Sequence, residues 1–197
     1  NFDVNYSIHL DHTTDINNVI KALDAGFGSV MYDGSQFDFN TNLKETQKLT
    51  QLAKTYTASV EAELGVIGGK EDDIFSDIEI FPSENEIMTF VKESGIDLFA
   101  PAIGTIHGSY KSQPDIQWEM INQVLNKVTM PLVLHGGTGL SKALFKKLVG
   151  DKVEGDLREI QPNVDAVLGF EGEFAQLQDN ELRLRTSDLK SRIASHV

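Results

Sequence analysis

Three histidines follow three different apolar segments of the chain and could together hold a metal ion. His12, His107 and His135 each lie at or just beyond a short segment that has the composition of a buried strand. In parallel βα architectures, ligands bind beyond the carboxyl ends of the strands. Three imidazoles that converge from separate strands leave a fourth coordination position open, as in catalytic zinc sites. One strand-end histidine is more often a turn or surface residue, but three on one rim favour a metal.

The other two of the five histidines receive no ligand role. His9 lies in the predicted strand that leads into His12, so side-chain alternation places it on the face opposite to His12. We therefore expect His9 to be structural. His196 lies in a predicted terminal helix and is given no function.

Acidic residues cluster in and after the third apolar segment. Glu61 and Glu63 are two residues apart, so both side chains face one side of the predicted strand. Two like charges on one face are costly unless they meet a cation or solvent. The later cluster Glu71-Asp72-Asp73, by composition alone, indicates a solvated loop.

A glycine-rich turn lies between the fifth apolar segment and the helix that follows it. The residues are Gly136-Gly137-Thr138-Gly139. Backbone amides in such a turn, next to a helix N-terminus, suit the binding of a phosphate group. A tight βα turn would use glycine equally well, so both interpretations stay open.

Short apolar segments alternate with helical patterns over most of the chain. The strands and helices that they predict must position the histidines, the acidic residues and the glycine-rich turn. The alternation predicts an α/β fold with a parallel sheet and right-handed crossovers. Ser83 and Glu86 have the spacing of a capping box at one helix start. The predicted strands are 6–11, 29–33, 59–64, 96–103 and 131–134, and the predicted helices are 15–25, 42–56, 83–93, 115–128 and 141–149.

The amino-acid composition of the chain excludes several classes of function. The chain has 197 residues, 40% of them hydrophobic, and 17 basic against 30 acidic residues give a net charge of −13. That charge argues against nucleic acid or an anionic membrane as a main partner. The sequence has no cysteine, so disulfides and thiolate metal sites are excluded. No apolar run is long enough to span a membrane and no signal-peptide pattern opens the chain, so we expect a cytoplasmic protein.

Residues 151–197 differ from residues 1–150. All four arginines of the sequence lie in this C-terminal segment. A composition boundary is therefore predicted near Gly150, and the segment beyond it is assigned no role. Its predicted elements are a helix or turn at 155–160, an apolar run at 164–168 that is the only candidate strand, a polar stretch at 171–185 and a helix at 187–195.

With these residues assembled, the chain resembles the class II, metal-dependent ketose-bisphosphate aldolases, which include fructose- and tagatose-1,6-bisphosphate aldolases. The matching motifs occur in the order and at the spacing typical of the family, over about residues 6–150. They are HLDH (9–12), GFGSVMYDGS (26–35), VEAELGVIGGKEDD (60–73), GIDLFAPAIGTIHGSYK (95–111) and PLVLHGGTGLS (131–141).

The resemblance implies a zinc-dependent aldol cleavage. His12, His107 and His135 match the zinc ligands, and Glu63 matches a carboxylate that can approach the metal. Zinc would act as a Lewis acid on the ketone carbonyl and stabilise the enediolate. By the same resemblance, Asp11 abstracts the C4 hydroxyl proton, and Glu71 exchanges the proton on the dihydroxyacetone phosphate carbon from a loop hinged at Gly68-Gly69.

The remaining matches concern the phosphorylated sugar. Gly108, Gly136, Gly137 and Thr138 match contacts to the dihydroxyacetone phosphate end, partly through a monovalent cation (Na⁺ or K⁺). Ser35 matches a position near the substrate hydroxyls. The products would be dihydroxyacetone phosphate and glyceraldehyde 3-phosphate. Fructose-1,6-bisphosphate is favoured as substrate because glycolytic members are commoner, and tagatose-1,6-bisphosphate and a homo-oligomeric state stay open.

The fold implied by the resemblance is a TIM (β/α)8 barrel, here incomplete. The matched segments correspond to strands 3–7 of the family barrel, and no motif of the eighth strand follows Gly150. Since five strands cannot close an eight-stranded barrel, we expect activity below that of a full-length relative. The alternative is a non-catalytic aldolase-like fragment or partner subunit that still binds metal.

Overall fold

A computed structural model describes residues 7–71, 74–76, 78–110, 112–150, 160–162 and 164–194. The chain divides into two compact units, Asn1–Leu140 and Ser141–Val197. The division precedes Gly150, near which the composition of the sequence changes.

The first unit contains two sheets. Its strands are β1 (His9–Leu10), β2 (Ser29–Tyr32), β3 (Ser59–Leu64), β4 (Gly68–Glu71), β5 (Ile74–Ser76), β6 (Leu98–Pro101) and β7 (Ile106–His107). The larger sheet has the spatial order β1-β2-β3-β6, and all of its pairings are parallel. The order runs in one direction along the chain, as in a barrel, without the reversal of a doubly wound sheet.

Several predicted strands are shorter in the structure, among them 6–11, of which the described part forms a strand only at His9–Leu10. Of the predicted strand 96–103 only Leu98–Pro101 is formed. The predicted strand 131–134 is reduced to a parallel bridge between Phe99 and Leu132. The Phe99 amide donates to the Pro131 carbonyl at 3.1 Å, and the Val133 amide donates to the Phe99 carbonyl at 2.9 Å. Residues 131–133 therefore extend the larger sheet next to β6, parallel to it, where a strand was predicted.

The smaller sheet was not predicted. Strands β4 and β5 form an antiparallel hairpin, and β4 also pairs in parallel with β7. Gly69 lies opposite His107 in that pairing, with φ +98°, and a Cβ at Gly69 would collide with the His107 carbonyl. The segment expected to be a hinged loop is thus anchored at Gly69, because only glycine allows this approach. Asp72 and Asp73 lie outside the described residues.

Among the described residues, three of the four helices of the first unit begin at side-chain caps, and the helix at Trp118–Lys127 does not. The predicted capping box is confirmed: the Glu86 amide donates to Ser83 Oγ, and the Ser83 amide donates to a Glu86 carboxylate oxygen. The helix α2 (Phe39–Thr55) starts three residues before the prediction because Asp38 accepts from the amides of Asn40 and Thr41. The bounds are α1 Ile16–Asp24, α2 Phe39–Thr55, α3 Glu84–Ser94 and α4 Trp118–Lys127.

The hydrophobic core lies between these helices and the parallel sheet. Val19 of α1, Leu49 of α2 and Phe90 of α3 are fully buried, as are Val30 of β2 and Phe99 of β6. The other face of the sheet carries the polar side chains that form the candidate site.

The second unit is helical in its described residues. The bounds are α5 (Lys142–Val149), the stretches 160–162 and 164–168, and helices Glu171–Phe174 and Asp179–Ala194. The candidate strand at 164–168 was wrong, since these residues are helical. The last helix begins at Asp179, not at 187, because it continues through the polar stretch. Residues 151–159 lie outside the described part of the structure. Of the predicted element at 155–160, only Ile160 is described.

None of the helices in the described residues is both long enough and apolar enough to cross a membrane.

Candidate metal centre

The three strand-end histidines converge in the first unit. His12 follows β1, His107 is the last residue of β7, and His135 follows the bridge at Leu132. The ring centroids of His12 and His107 are 4.9 Å apart, those of His12 and His135 4.4 Å, and those of His107 and His135 5.9 Å. His12 and His135 follow segments of the larger parallel sheet at its carboxyl edge, and β7 of the smaller sheet brings His107 to the same place.

Ring nitrogens of two histidines lie at the spacing of metal ligands. His12 Nε2 and His135 Nδ1 are 3.0 Å apart. Two nitrogens that each bind tetrahedral zinc at about 2.0–2.1 Å lie roughly 3.3 Å from one another. In two overlapping groups, Asp11–His12–His135 and His12–Glu63–His107, one potential ligand atom of each residue lies within 4.8 Å of the others.

Buried carboxylates hold the outer nitrogens of two of these rings. Glu61 Oε1 is 2.7 Å from His135 Nε2, and Asp33 Oδ2 is 3.5 Å from His12 Nδ1. Burial alone would raise the pKa of Asp33, but hydrogen bonds from His12 and Ser35 outweigh it and hold the pKa below its usual value. A carboxylate behind a histidine fixes the ring orientation and leaves the other nitrogen for a metal.

Glu63 is a buried carboxyl with an unsatisfied oxygen. Its Oε2 atom has no hydrogen-bond partner among the described residues and lies 3.8 Å from His12 Nδ1. Burial, with the nearby Asp33 carboxylate, raises the pKa of Glu63 to about 8. The Asn42 side chain donates to the Glu63 carbonyl at 2.9 Å and fixes the backbone. A cation beside Glu63 would favour its ionised form and satisfy the free oxygen.

The His107 ring is neutral at pH 7. Burial, followed by the neighbouring imidazoles of His12 and His135, lowers the pKa of His107 to about 4. Neutral imidazole is the form that binds metals. Three imidazoles, an unsatisfied buried carboxyl oxygen and carboxylates behind two of the rings therefore fit a divalent metal such as zinc.

Comparison with known proteins identifies the family. A family model described as fructose-bisphosphate aldolase class-II matches residues 1–154. The chain belongs to the class II fructose-bisphosphate aldolase family.

Similar proteins agree with this membership. The chain is 42% identical over 143 residues to a Bacillus subtilis (strain 168) protein named "Probable fructose-bisphosphate aldolase", covering 73% of this chain and 50% of that one. It is 40% identical over 149 residues to a fructose-bisphosphate aldolase of Staphylococcus epidermidis (strain RP62A), covering 76% and 52%. The crystal structure of the YdjI aldolase from Escherichia coli K12 matches with a TM-score of 0.60 and 32% identity, covering 72% and 50%.

The fold is thus that of the class II aldolase TIM barrel, present in part. The chain spans about half the length of the curated relatives that it matches. Its parallel sheet and the one-directional strand order agree with part of such a barrel.

Asp11 and Ser35, two polar residues that the resemblance to aldolases indicates as functional, lie beside the histidines or the carboxylate behind them. The Asp11 side chain is 60% exposed, and its Oδ1 accepts from the His12 amide at 3.1 Å. The Ser35 amide donates to Asp33 Oδ1 at 3.0 Å, next to the carboxylate behind His12. Asp11 therefore faces solvent at the rim, where a substrate hydroxyl could reach it.

The glycine-rich segments of the aldolase motif are turns near the histidines. Gly108 and Gly136 have φ of +85° and +67°. Gly137 accepts from the Leu140 amide at 3.2 Å, and Thr138 is exposed. Glu71 is the last residue of β4, and its side chain lies outside the described part of the structure.

Sequence reasoning missed the roles of Glu61 and His9. His9 Nδ1 is 2.9 Å from Ser29 Oγ, and His9 Nε2 is 3.7 Å from Glu61 Oε2. The expectation that His9 and His12 face opposite sides was wrong, because β1 ends at Leu10 and alternation does not extend to His12. The spacing of Glu61 and Glu63 predicted that both lie on one strand face, but that pattern does not indicate the contact of Glu61 with His135.

Proposed function

We propose that this chain is a zinc-dependent class II aldolase that cleaves fructose-1,6-bisphosphate reversibly to dihydroxyacetone phosphate and glyceraldehyde 3-phosphate. The observation that supports it most is the convergence of His12, His107 and His135, two of them backed by buried carboxylates. Family membership makes an aldol cleavage the first chemistry to test.

His12, His107 and His135 are the proposed metal ligands, and Glu63 is a carboxylate that can join them. When bound, the metal supplies Lewis-acid polarisation of the substrate carbonyl. The protein's own contribution is to present neutral imidazoles in a fixed orientation. Glu61 and Asp33 supply that orientation from behind the rings.

Asp11 is the proposed base for the C4 hydroxyl. Its exposed carboxylate lies beside the metal ligands, so it can accept the hydroxyl proton during cleavage and return it during condensation. Glu71 is proposed to exchange the proton on the dihydroxyacetone phosphate carbon. This second role rests on the family motif alone.

The phosphate end of the substrate is proposed to bind at the glycine-rich turns. Backbone amides at Gly108, Gly136 and Gly137 and the hydroxyl of Thr138 can donate to phosphate oxygens, and a monovalent cation (Na⁺ or K⁺) can share the site. Ser35 is proposed to contact a substrate hydroxyl. Fructose bisphosphate is preferred over tagatose bisphosphate because the curated relatives are named for it. A glycolytic role in the cytoplasm is proposed from the resemblance to the family.

The test is cleavage of fructose-1,6-bisphosphate by the purified chain loaded with zinc, followed by coupled detection of glyceraldehyde 3-phosphate. His107→Ala should abolish cleavage together with zinc binding. Asp11→Asn should retain zinc and lower the cleavage rate by about 100-fold or more, as expected for loss of a general base. Running tagatose-1,6-bisphosphate in parallel tests the substrate preference.

His196→Ala is the control, because it removes a histidine that is not part of any of the family motifs; His196 lies outside the described residues. It should leave cleavage and zinc content unchanged. A folded, zinc-loaded parent without any cleavage would contradict the proposal and favour the alternative of a non-catalytic, metal-binding aldolase-like protein.

A further inference from the structure

The hydroxyl group of Tyr110 joins two backbone segments that the metal site needs. It accepts a hydrogen bond from the Ile106 amide at 2.9 Å and donates one to the Gly136 carbonyl at 2.7 Å. Ile106 immediately precedes His107, and Gly136 immediately follows His135. One hydroxyl group therefore bridges the neighbours of two metal-ligand candidates that are far apart in the sequence.

These two segments are in close backbone contact. A Cβ built on Gly136 would lie 2.7 Å from the Ile106 carbonyl oxygen, so glycine is required at this position. Gly136 has φ +67°, in the left-handed region that favours glycine. The segments that carry His107 and His135 thus have little room to shift, and the Tyr110 hydroxyl satisfies an amide and a carbonyl at their junction.

The hydroxyl group is suited to both hydrogen bonds. Desolvation by burial raises the pKa of Tyr110, so the group keeps its proton and can donate to Gly136. The ring is partly buried and lies 3.4 Å from the position of a Cβ at Gly139. Phenylalanine would keep these ring contacts and remove only the hydroxyl.

We propose that Tyr110 is a positioning residue for the metal site, which holds His107 and His135 at the separation that one metal ion requires. The inference rests on the proposed metal-binding function. Neither His107 nor His135 is fixed to the other by the larger sheet, because His107 lies in β7 and His135 follows a single bridge. The Tyr110 hydroxyl supplies a link between them that the sheet lacks.

The same link reaches the turns proposed to bind phosphate. Gly136 belongs to the glycine-rich turn, and Gly108 lies between His107 and Tyr110 in the sequence. Loss of the hydroxyl should therefore weaken metal binding first, and substrate affinity as a consequence. Residues behind metal ligands typically change metal affinity by about 10–100-fold when they are mutated.

The experiment is cobalt(II) binding to the 197-residue chain, followed by visible absorption, with zinc affinity measured by competition against a chromophoric chelator. We expect Tyr110→Phe to bind both metals about 10–100-fold more weakly and to change the cobalt spectrum. A purely structural role would lower the melting temperature and leave the spectrum of the folded, loaded variant unaltered.

Tyr56→Phe is the matched control. It also removes a tyrosine hydroxyl in a hydrogen bond, here 2.8 Å from Asp24 at the surface, and should leave metal affinity unchanged. Equal affinities and spectra for Tyr110→Phe and Tyr56→Phe overturn the inference while the proposed function stands. A folded parent that binds neither metal overturns the proposed function and this inference with it.

A second measurement, made on the parent chain, tests the inference if the Tyr110→Phe variant does not fold. In the parent, metal binding should slow hydrogen exchange at the Ile106 amide, since the ligands on both sides of the Tyr110 link become fixed. An exchange rate at Ile106 that is unchanged by saturating cobalt would overturn the inference.

Discussion

The two compact units differ in what they bury. In the first unit, Val19, Leu49 and Phe99 are inaccessible to solvent. In the second, none of the described residues is buried, and Leu184 and Val167 are 69% and 64% exposed. Both units form regular helices, so secondary structure alone does not produce an interior. The sheet of the first unit supplies the surface against which helices bury their apolar stripes.

The same comparison explains where chemistry is concentrated. Glu61 and Glu63 are 4% and 2% exposed, and they face imidazoles. Glu173 of the second unit is an exposed carboxylate that pairs with Arg185 at 2.8 Å. Burial makes a carboxylate sensitive to a nearby histidine or cation, whereas solvent screens the exposed pair. The family match ends at residue 154, shortly after the first unit ends.

The largest expected contrast comes from one phenylalanine in each unit. Phe99→Ala should lower the free energy of unfolding by about 3–5 kcal/mol, because it opens a cavity at a fully buried site. Phe174→Ala, at a side chain that is 43% exposed, should have a much smaller effect. Urea denaturation followed by circular dichroism measures both. Equal costs would mean that the second unit has a core of its own.

A pair of glycines gives the next contrast. Gly69→Ala should lower the free energy of unfolding by about 2 kcal/mol or more, because φ is +98° and the new Cβ meets the His107 carbonyl. Gly172→Ala meets no atom within 4 Å in a helix, and should be neutral or stabilising by up to about 1 kcal/mol. Thermal unfolding tests both variants, and a silent Gly69→Ala would refute the close approach of β4 to β7.

A pair of glutamates sharpens the comparison at the metal site. Glu61→Gln should weaken zinc binding by about 10–100-fold, since the carboxylate behind His135 is lost. Glu173→Gln also removes a paired carboxylate, but should leave zinc affinity unchanged. Chelator competition measures both affinities. An unchanged affinity for Glu61→Gln would show that His135 does not depend on Glu61 for its orientation.

The smallest expected effect concerns a helix cap. Ser83→Ala removes the hydroxyl of the capping box of α3 and should cost about 1 kcal/mol of stability. Ser141→Ala removes the hydroxyl that accepts from the Leu144 amide at the start of α5, in the second unit. It should change helix content with little effect on urea unfolding of the first unit. A loss of first-unit stability in Ser141→Ala would show that the two units are coupled.

Local patterns predicted the parts of the fold that depend on neighbours in the sequence. Ser83 and Glu86 are three residues apart and form the expected capping box. The apolar segment 59–64 is a strand with the predicted bounds. The run at 164–168 was predicted as a candidate strand and is helical, because an apolar run of that length is compatible with either structure.

In the candidate site, too, some features could be predicted from the sequence and others could not. The convergence of His12, His107 and His135 followed from their positions at strand ends. The contacts of Glu61 with His135 and of Tyr110 with Gly136 join residues 74 and 26 positions apart. Such contacts are set by how the strands and turns pack, so no local pattern indicates them. The pairing of β4 with β7 was missed for the same reason, since its partners, such as Gly69 and His107, are 38 positions apart. The local β4–β5 hairpin was missed because the acidic cluster at 71–73 indicated a solvated loop.

The most direct test is the zinc content of the purified chain, measured by elemental analysis beside His107→Ala. We expect about one zinc ion per parent chain and none retained by the variant, with both proteins folded by circular dichroism. A folded parent that binds no zinc, or a variant that binds as much as the parent, would contradict the claim that three strand-end histidines form one metal site.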